Sequence, residues 1–296
     1  MLAHRLALST AVATVVLIVF GGLVTNTGAA LAVPDWPSTF GHNMFLFPWS
    51  GMVGGIFYEH SHRLLGALVG LLTVALAAAL WRRGGRLRTL GVVALAAVIT
   101  QGVIGGMRVV FTADALAMVH GPLAQGFFAL VAAIAYVTSP ATRQPHAASD
   151  ATLRPLALVA AAALYAQIVL GAMLTHAGFL WLHLAGAFLV FALVPLVTAR
   201  GRRSGDPVAT PLARVLLVLL VVQLALGIGA FLARFSAIWI PGGQLTMLVL
   251  PVAHRLVGGL LLATSVVLAV RVWSAAAADE AAEREVVTFA GRGARA

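Results

Sequence analysis

The chain has 296 residues, of which 61% are hydrophobic and only 9% are charged, and its mean hydropathy is +1.01. This composition excludes an ordinary water-soluble protein and predicts a polytopic membrane protein. The net charge is +10, every basic residue is an arginine, and the absence of cysteine excludes disulfides, thiolate metal sites and iron–sulfur clusters.

Apolar stretches follow one another along the chain, and each is long enough to cross a bilayer core of about 30 Å as a helix. They are Leu6–Val24, Leu64–Leu80, Leu90–Met107, Ala115–Val137, Leu156–Leu174, Leu180–Val197, Leu212–Leu232 and Leu245–Val270. The sequence therefore predicts an all-α polytopic membrane protein with eight transmembrane helices. The first stretch also resembles a cleaved signal peptide, but its apolar run is longer than such a segment needs, and we expect a retained helix.

The arginines are distributed unevenly between the two ends of the predicted helices. If the N-terminus is cytoplasmic, all but four of the 19 arginines fall on the cytoplasmic side. The four exceptions are Arg63, Arg108, Arg234 and Arg255. The positive-inside rule then predicts a multi-pass protein of the cell membrane with both termini cytoplasmic. Because topology accounts for the positive charge, we expect no binding to nucleic acid.

The two halves of the chain resemble each other. Helices 3, 5 and 7 carry a glutamine followed four residues later by a glycine, and helices 2, 4, 6 and 8 each carry a histidine near the outer end. The residues are Gln101, Gln167 and Gln223, then His62, His120, His183 and His254. We predict an internal repeat that forms two tandem four-helix bundles. The halves are 1–139 and 155–273, joined by a cytoplasmic linker at 140–154 and followed by a cytoplasmic tail at 274–296.

The four histidines are the candidate functional residues, because an ionisable side chain inside an apolar span is costly and marks function by default. Two imidazoles that face each other across a bundle satisfy a six-coordinate haem, since the porphyrin leaves two axial positions. Glycines close to them would leave room for a flat macrocycle. Two alternatives remain open: interhelical hydrogen bonds, and a zinc site, which needs three or four ligands around one point.

One acid distinguishes the two halves. Glu59 precedes His62 by three residues, which places it on the same helix face, whereas Leu180 and Pro251 stand at the equivalent positions in helices 6 and 8. We interpret Glu59 as a catalytic carboxylate. An acid that complements the helix dipole is the alternative.

The first outer loop, from about Gly28 to Tyr58, is rich in proline and aromatic residues and is predicted to form a folded cap at the headgroup level. It contains Pro-Asp-Trp-Pro at 34–37, in which Asp35 suits either a turn cap or a chemical role. At the outer ends of helices 3 and 7, Arg108 and Arg234 are candidates to pair with propionates, because a planar guanidinium holds a carboxylate bidentately.

These motifs together resemble the haem A synthase family, in which Pro-Asp-Trp-Pro, Glu-x-x-His-Arg at helix 2, His-Gly in helix 4 and His-Arg in helix 8 occur in this order. The resemblance covers about residues 5 to 273. It implies an oxidoreductase of haem A biosynthesis and cytochrome oxidase assembly, which oxidises a ring methyl of haem O stepwise to the formyl group of haem A. By the same resemblance, His183 and His254 ligate a haem b iron, and His62 and His120 face the substrate haem.

The resemblance also implies partners, namely haem O synthase, assembly factors of the haem-copper terminal oxidase and an electron donor that it does not identify. Many bacterial members carry a cysteine pair in the outer loop, where this chain has Val33 and Thr39, so a thiol role is absent here. The alternative function is a quinol-linked di-haem b electron-transfer protein that does not modify haem. Glu59 beside one histidine pair favours modification. A transporter would explain the repeat but not the histidines.

Overall fold

The computed structural model describes residues 1–147, 152–238 and 241–293, with the stretch 275–293 given as backbone only. In this part of the chain, eight helices are long and apolar enough to cross a membrane, and the only β-type pairing is one isolated bridge, Thr39 with His42. The helices are α1 (Leu2–Asn26), α2 (Gly55–Trp81), α3 (Gly85–Phe111), α4 (Asp114–Val137), α5 (Leu153–Ala177), α6 (Leu180–Arg203), α7 (Ala209–Phe235) and α8 (Gly243–Gly293). The prediction of an all-helical fold with eight spans is confirmed.

Three segment boundaries differ from the prediction. Helix α2 begins at Gly55, so the outer loop is shorter than the predicted Gly28–Tyr58, because Gly54 turns the chain at a φ of +54° and the next residues already suit a helix. Helix α5 begins at Leu153, inside the predicted linker 140–154. The linker contains a 3₁₀ turn at Pro140–Arg143, and its residues 148–151 lie outside the described residues. The backbone of α8 continues as a helix to Gly293, and the last three residues of the predicted tail are not described.

The helices pack as two closed rings of four. In the first ring α1 contacts α2, α2 contacts α3, α3 contacts α4, and α4 returns to α1; helices α5 to α8 close in the same order. The rings meet where α8 contacts α1 and α4, and where α5 contacts α4. Each ring therefore encloses an interior into which side chains of four different helices can converge.

Apolar side chains fill the two rings and their junction. In the first ring Leu76 of α2 and Ile134 of α4 belong to one buried cluster, and at the junction Phe128 of α4 belongs to the same buried cluster as Leu261 of α8. Large apolar side chains also cover the outside, and Trp181 is 80% exposed. Such a surface suits a lipid environment, in which packing and interhelical hydrogen bonds hold helices together.

A buried ion pair joins α8 to two connecting segments. Arg271 donates from Nε and Nη2 to the Asp206 carboxylate, at 3.0 and 2.8 Å, and from Nη1 and Nη2 to the backbone carbonyls of Gln144 and Pro145. Burial acts to raise the pKa of Asp206, but the hydrogen bond from Arg271 and three backbone amides outweigh it and lower that pKa. The pair anchors the predicted linker and the loop before α7 to α8, a role that the sequence did not indicate for Arg271.

Candidate functional site

The structure brings the predicted histidines together as two facing pairs. The ring centroids of His62 and His120 are 6.5 Å apart, and those of His183 and His254 are 6.1 Å apart. A metal held between two imidazole nitrogens at about 2 Å from each would place the ring centroids about 6 Å apart. The spacing of both pairs therefore fits the two axial ligands of a haem.

Each histidine ring packs against a glycine of the preceding helix. A Cβ atom added to that glycine would approach the Cε1 atom of the ring to within van der Waals contact or closer. The pairs are Gly21 with His62 (3.1 Å), Gly105 with His120 (3.2 Å), Gly171 with His183 (3.4 Å) and Gly227 with His254 (2.9 Å). The sequence indicated three of these glycines, but it missed Gly21 because α1 has no glutamine at the matching position.

Three other glycines lie one helical turn after a histidine and have different neighbours. A Cβ atom at Gly66 would meet no described atom within 4 Å, so open space lies beside the His62 face of α2. Gly186 and Gly258 instead face the glutamines Gln167 and Gln223. Among these three glycines, Gly66 is therefore the one that leaves open space beside a histidine.

In the second ring, hydrogen bonds hold both histidine side chains. The Nε2 atom of Gln167 donates to the His183 carbonyl at 2.9 Å and lies 3.1 Å from its Nδ1. His254 directs Nδ1 to the Gln223 carbonyl at 3.1 Å, while the Gln223 Nε2 lies 3.2 Å from the His254 Nε2. A ring that donates from Nδ1 to a carbonyl carries its lone pair on Nε2, which accepts from the Gln223 amide here and could bind a metal in place of that amide.

The first ring lacks these contacts to the histidine side chains. Gln101 donates to the backbone carbonyl of His120 at 3.2 Å. The Nδ1 atoms of His62 and His120 are buried without a hydrogen bond of good geometry among the described residues, while the backbones of Leu17 and Gln101 lie within reach of these imidazoles. The two histidine pairs therefore share their spacing, but glutamine side chains contact the imidazoles of the second pair only.

The histidine pairs stand apart from other metal-binding side chains. Among the residues that the structure describes, no group of three or more histidine, aspartate or glutamate side chains could hold a metal ion. Each pair offers two ligands, which suits axial haem ligation and falls short of the three or four protein ligands that zinc takes.

Glu59 is buried and bonded to the outer loop. Its Oε1 atom pairs with Nη2 of Arg63 at 2.8 Å, and its Oε2 accepts the backbone N–H of Val33 at 2.9 Å. Glu59 is the fifth residue of α2, beyond the first turn where the dipole acts, so the helix-dipole alternative lacks support. Arg63 also donates to the carbonyls of Val33, Asp35 and Ser38, so the pair ties the loop to α2.

The outer loop is a folded cap, as predicted. The Trp36 indole lies against Gly106, where a Cβ atom would collide with it. The buried His60 lies 3.1 Å from the Thr39 hydroxyl and packs against Phe47, with ring centroids 5.1 Å apart. His60 therefore faces the loop, while His62 faces the interior of the ring.

Asp35 makes the contacts of a turn-capping acid. It accepts hydrogen bonds from the Ser38 hydroxyl and from the backbone amides of Phe40 and Gly41. Partial burial acts to raise its pKa, but these hydrogen bonds outweigh burial and lower the pKa to about 2. Because the folded value lies below the ordinary 3.8, the stabilisation is present above about pH 4 and is lost as the pH falls through about 2.

Arg108 and Arg234, predicted separately, line one outer cavity of about 200 Å³ at the ends of α1, α3, α5 and α7. The other lining residues are Thr25, Asn26, Ala30, Thr175 and His176. Both polar side-chain atoms of Asn26 are buried without a hydrogen-bond partner among the described residues. The charge of Arg108 also acts on His62 and His120. A cavity with two guanidinium groups and an unpaired amide suits a carboxylate.

Comparison with known proteins finds one family model and several relatives that are similar to part of the chain. Residues 50–180 match the model of the COX15-CtaA family, described as cytochrome oxidase assembly protein. The chain is 35% identical over 118 residues to a haem A synthase of Shouchella clausii, an alignment that covers 38% of each chain. It is 32% identical over 117 residues to a haem A synthase of Bacillus licheniformis, covering 38% of this chain and 37% of that protein.

Both comparisons support the COX15-CtaA family. The resemblance expected from the motifs is thereby confirmed, although the chain aligns with little more than a third of the length of each relative. The matched stretch contains Glu59, His62 and His120 and ends before His183. Its eight described apolar helices and its similarity to this family make the chain an integral, multi-pass membrane protein.

Proposed function

We propose that this protein is an oxidoreductase that converts haem O to haem A, with dioxygen as the oxidant of the ring methyl group. The main support is the arrangement of the four histidines as two facing pairs at the spacing of axial haem ligands. A buried carboxylate, Glu59, lies one helical turn from one of these pairs only. Relatives named haem A synthase and the family of cytochrome oxidase assembly proteins support the same activity. Its proposed partners are haem O synthase, assembly factors of the terminal oxidase and an electron donor.

We assign the second pair, His183 and His254, to a resident haem b. Two hydrogen bonds support this assignment, because His254 is oriented by its Nδ1 bond to the Gln223 carbonyl and the backbone of His183 is held by the Gln167 amide. When bound, haem b supplies one-electron redox chemistry. His62 and His120 hold the substrate haem O, which has to enter and leave.

We assign proton handling at the substrate methyl group, or stabilisation of positive charge that develops there, to Glu59. Its burial supports this assignment, because a charge shielded from water acts more strongly on a nearby reacting atom. The loop above it is held by Arg63 and closed against α3 by Trp36, which excludes bulk water. We assign the propionates of the haems to the cavity of Arg108 and Arg234.

We also propose that the two rings arose by internal duplication, with halves at 1–139 and 155–273, a linker at 140–154 and a tail at 274–296. The four equivalent glycine–histidine contacts support this division. An ancestral four-helix unit would place one histidine in its second helix and one in its fourth, as each ring does.

Haem extraction tests the proposed function. The full chain is expressed in cells that make no haem A, with and without haem O synthase, and the extracted haems are separated by chromatography. We expect haem A only when both proteins are present, and haem b in both cases. Haem b without haem A in the complete system would instead support the electron-transfer alternative.

Reporter fusions test the proposed topology. With both termini cytoplasmic, a reporter after Ala296 should report the cytoplasm, and one within Gly41–Pro48 should report the exterior, because the arginines favour that orientation. Activity of a periplasmic-type reporter at the C-terminus and its absence in the loop would refute this topology.

A further inference from the structure

An open cavity of about 390 Å³ lies between the ends of α6 and α7, on the side that the proposed topology places in the cytoplasm. Its lining residues are Ala199, Arg202, Arg203 and Arg214. None of these three arginine side chains has an ion-pair partner among the described residues. The acid of the connecting loop, Asp206, is bound to Arg271. The described wall of the cavity therefore presents three guanidinium groups and no carboxylate.

Close packing of α6 against α7 holds the backbone at this cavity. A Cβ atom added to Gly201 would lie 2.9 Å from the Cβ atom of Ala213, so the two helices are in direct contact there. The Thr210 hydroxyl also donates to the Gly201 carbonyl at 3.3 Å. Arg202 and Arg214 directly follow the two residues in contact. The cavity therefore has a fixed frame from which the exposed guanidinium groups project.

Two general rules account for part of this charge. Arginines are frequent at the cytoplasmic ends of membrane helices, and Arg202 and Arg203 complement the dipole in the last turn of α6. Arg214 is the sixth residue of α7, near the end where the dipole gives a cation no stabilisation. It also falls inside an apolar span, where a cation needs an anionic partner or access to the headgroup layer. Arg214 therefore indicates an anionic ligand.

Below the cavity, both helices expose an apolar strip to the bilayer. Leu196 lies one turn before Ala199 on α6 and is 48% exposed, and Val218 lies one turn after Arg214 on α7 and is 62% exposed. Val221 continues the strip toward the middle of the membrane and is also exposed. A molecule with an anionic head and hydrocarbon tails would match both the cavity and the strip.

We propose that the cavity binds the phosphate of an anionic glycerophospholipid, whose acyl chains lie along the apolar strip of α6 and α7. Guanidinium groups bind phosphate oxygens by strong, charge-assisted hydrogen bonds. Basic pockets between membrane helices on the cytoplasmic side recur as binding sites for phospholipid headgroups. The strip favours a lipid over a soluble phosphate or an acidic protein segment, because neither of these would cover it. The site lies away from the histidine pairs, so the inference does not depend on the proposed function.

Native mass spectrometry of the purified full chain tests the proposal. The protein in detergent is equilibrated with equal amounts of phosphatidylglycerol and phosphatidylcholine that carry identical acyl chains, and the retained lipids are counted. We expect the unchanged protein to prefer phosphatidylglycerol by about tenfold or more. Arg214→Gln should lower this preference by about fivefold, because one arginine near the membrane surface contributes about this factor to the binding of an anionic lipid.

Arg86→Gln is the matched control, because it removes one exposed arginine near the start of another helix on the same side, and it should leave the preference unchanged. Equal losses in Arg86→Gln and Arg214→Gln would overturn the proposal. Equal retention of the two lipids by the unchanged protein would also overturn it, and would favour an acidic protein segment instead. Arg202→Gln should act as Arg214→Gln does, and it decides alone if Arg214→Gln does not fold.

Inorganic phosphate separates a lipid from a free anion. The equilibration with both lipids is repeated with excess phosphate at constant ionic strength. We expect the unchanged protein to retain its phosphatidylglycerol, because phosphate lacks the acyl chains that contact the strip. Displacement of the lipid by phosphate would refute a lipid site and assign the cavity to a soluble phosphate.

Discussion

Replacement of His183 or His254 by leucine is expected to remove most of the tightly bound haem absorbance of the purified protein. Each substitution deletes one of the two nitrogens proposed to bind the iron, and the two imidazoles face each other at 6.1 Å between centroids. Both imidazoles also have hydrogen-bond partners in the structure. The measurement is the haem content and visible spectrum of the protein purified without haem O synthase.

His42→Leu is the control for this experiment, because His42 is exposed in the outer loop and its loss should leave the spectrum intact. Helices α1 to α4 should still fold in the test variants, since most of their buried core is a separate cluster and only a few residues, such as Phe128, pack in the cluster shared with the second ring. Full retention of the low-spin haem spectrum in the double variant of His183 and His254 would contradict the assignment of haem b to the second ring.

Glu59→Gln is expected to lower haem A formation by at least about tenfold, which corresponds to about 1.4 kcal/mol of lost transition-state stabilisation. Glutamine keeps the shape of the side chain and one acceptor oxygen, but it removes the negative charge. Haem b content should stay near normal, because its proposed ligands lie in the other ring. Haem O, any hydroxylated product and haem A are measured in membranes of the variant.

The bonds of Glu59 to Arg63 and Val33 provide a second explanation, in which Glu59 acts by holding the outer loop. Asp35→Asn separates the two, because it weakens a turn of the same loop and leaves Glu59 untouched. A catalytic carboxylate predicts a large loss in Glu59→Gln with near-normal haem A in Asp35→Asn. Equal losses in the two variants would favour loop anchoring, and normal haem A in Glu59→Gln would refute the catalytic role.

The sequence alone indicated features that depend on local composition and spacing. A run of apolar residues has to form a helix in a membrane, because its backbone groups have no other hydrogen-bond partners there. The eight spans were therefore found from the sequence, and most ends lay within a few residues of the predicted ones, whereas α2 begins at Gly55, nine residues before the predicted Leu64. The four histidines were also found from the sequence, because a polar side chain in such a run is conspicuous.

Only the tertiary structure decided which groups meet. Glu59 reaches Val33 across 26 residues and Asp206 reaches Arg271 across 65, and no local pattern encodes these pairs because they depend on how the helices pack. The same holds for Gly21, whose partner His62 lies on the next helix beyond the long outer loop. Composition determines that a helix forms in the membrane, whereas the face that it presents to a neighbour is determined by close packing of all the helices together.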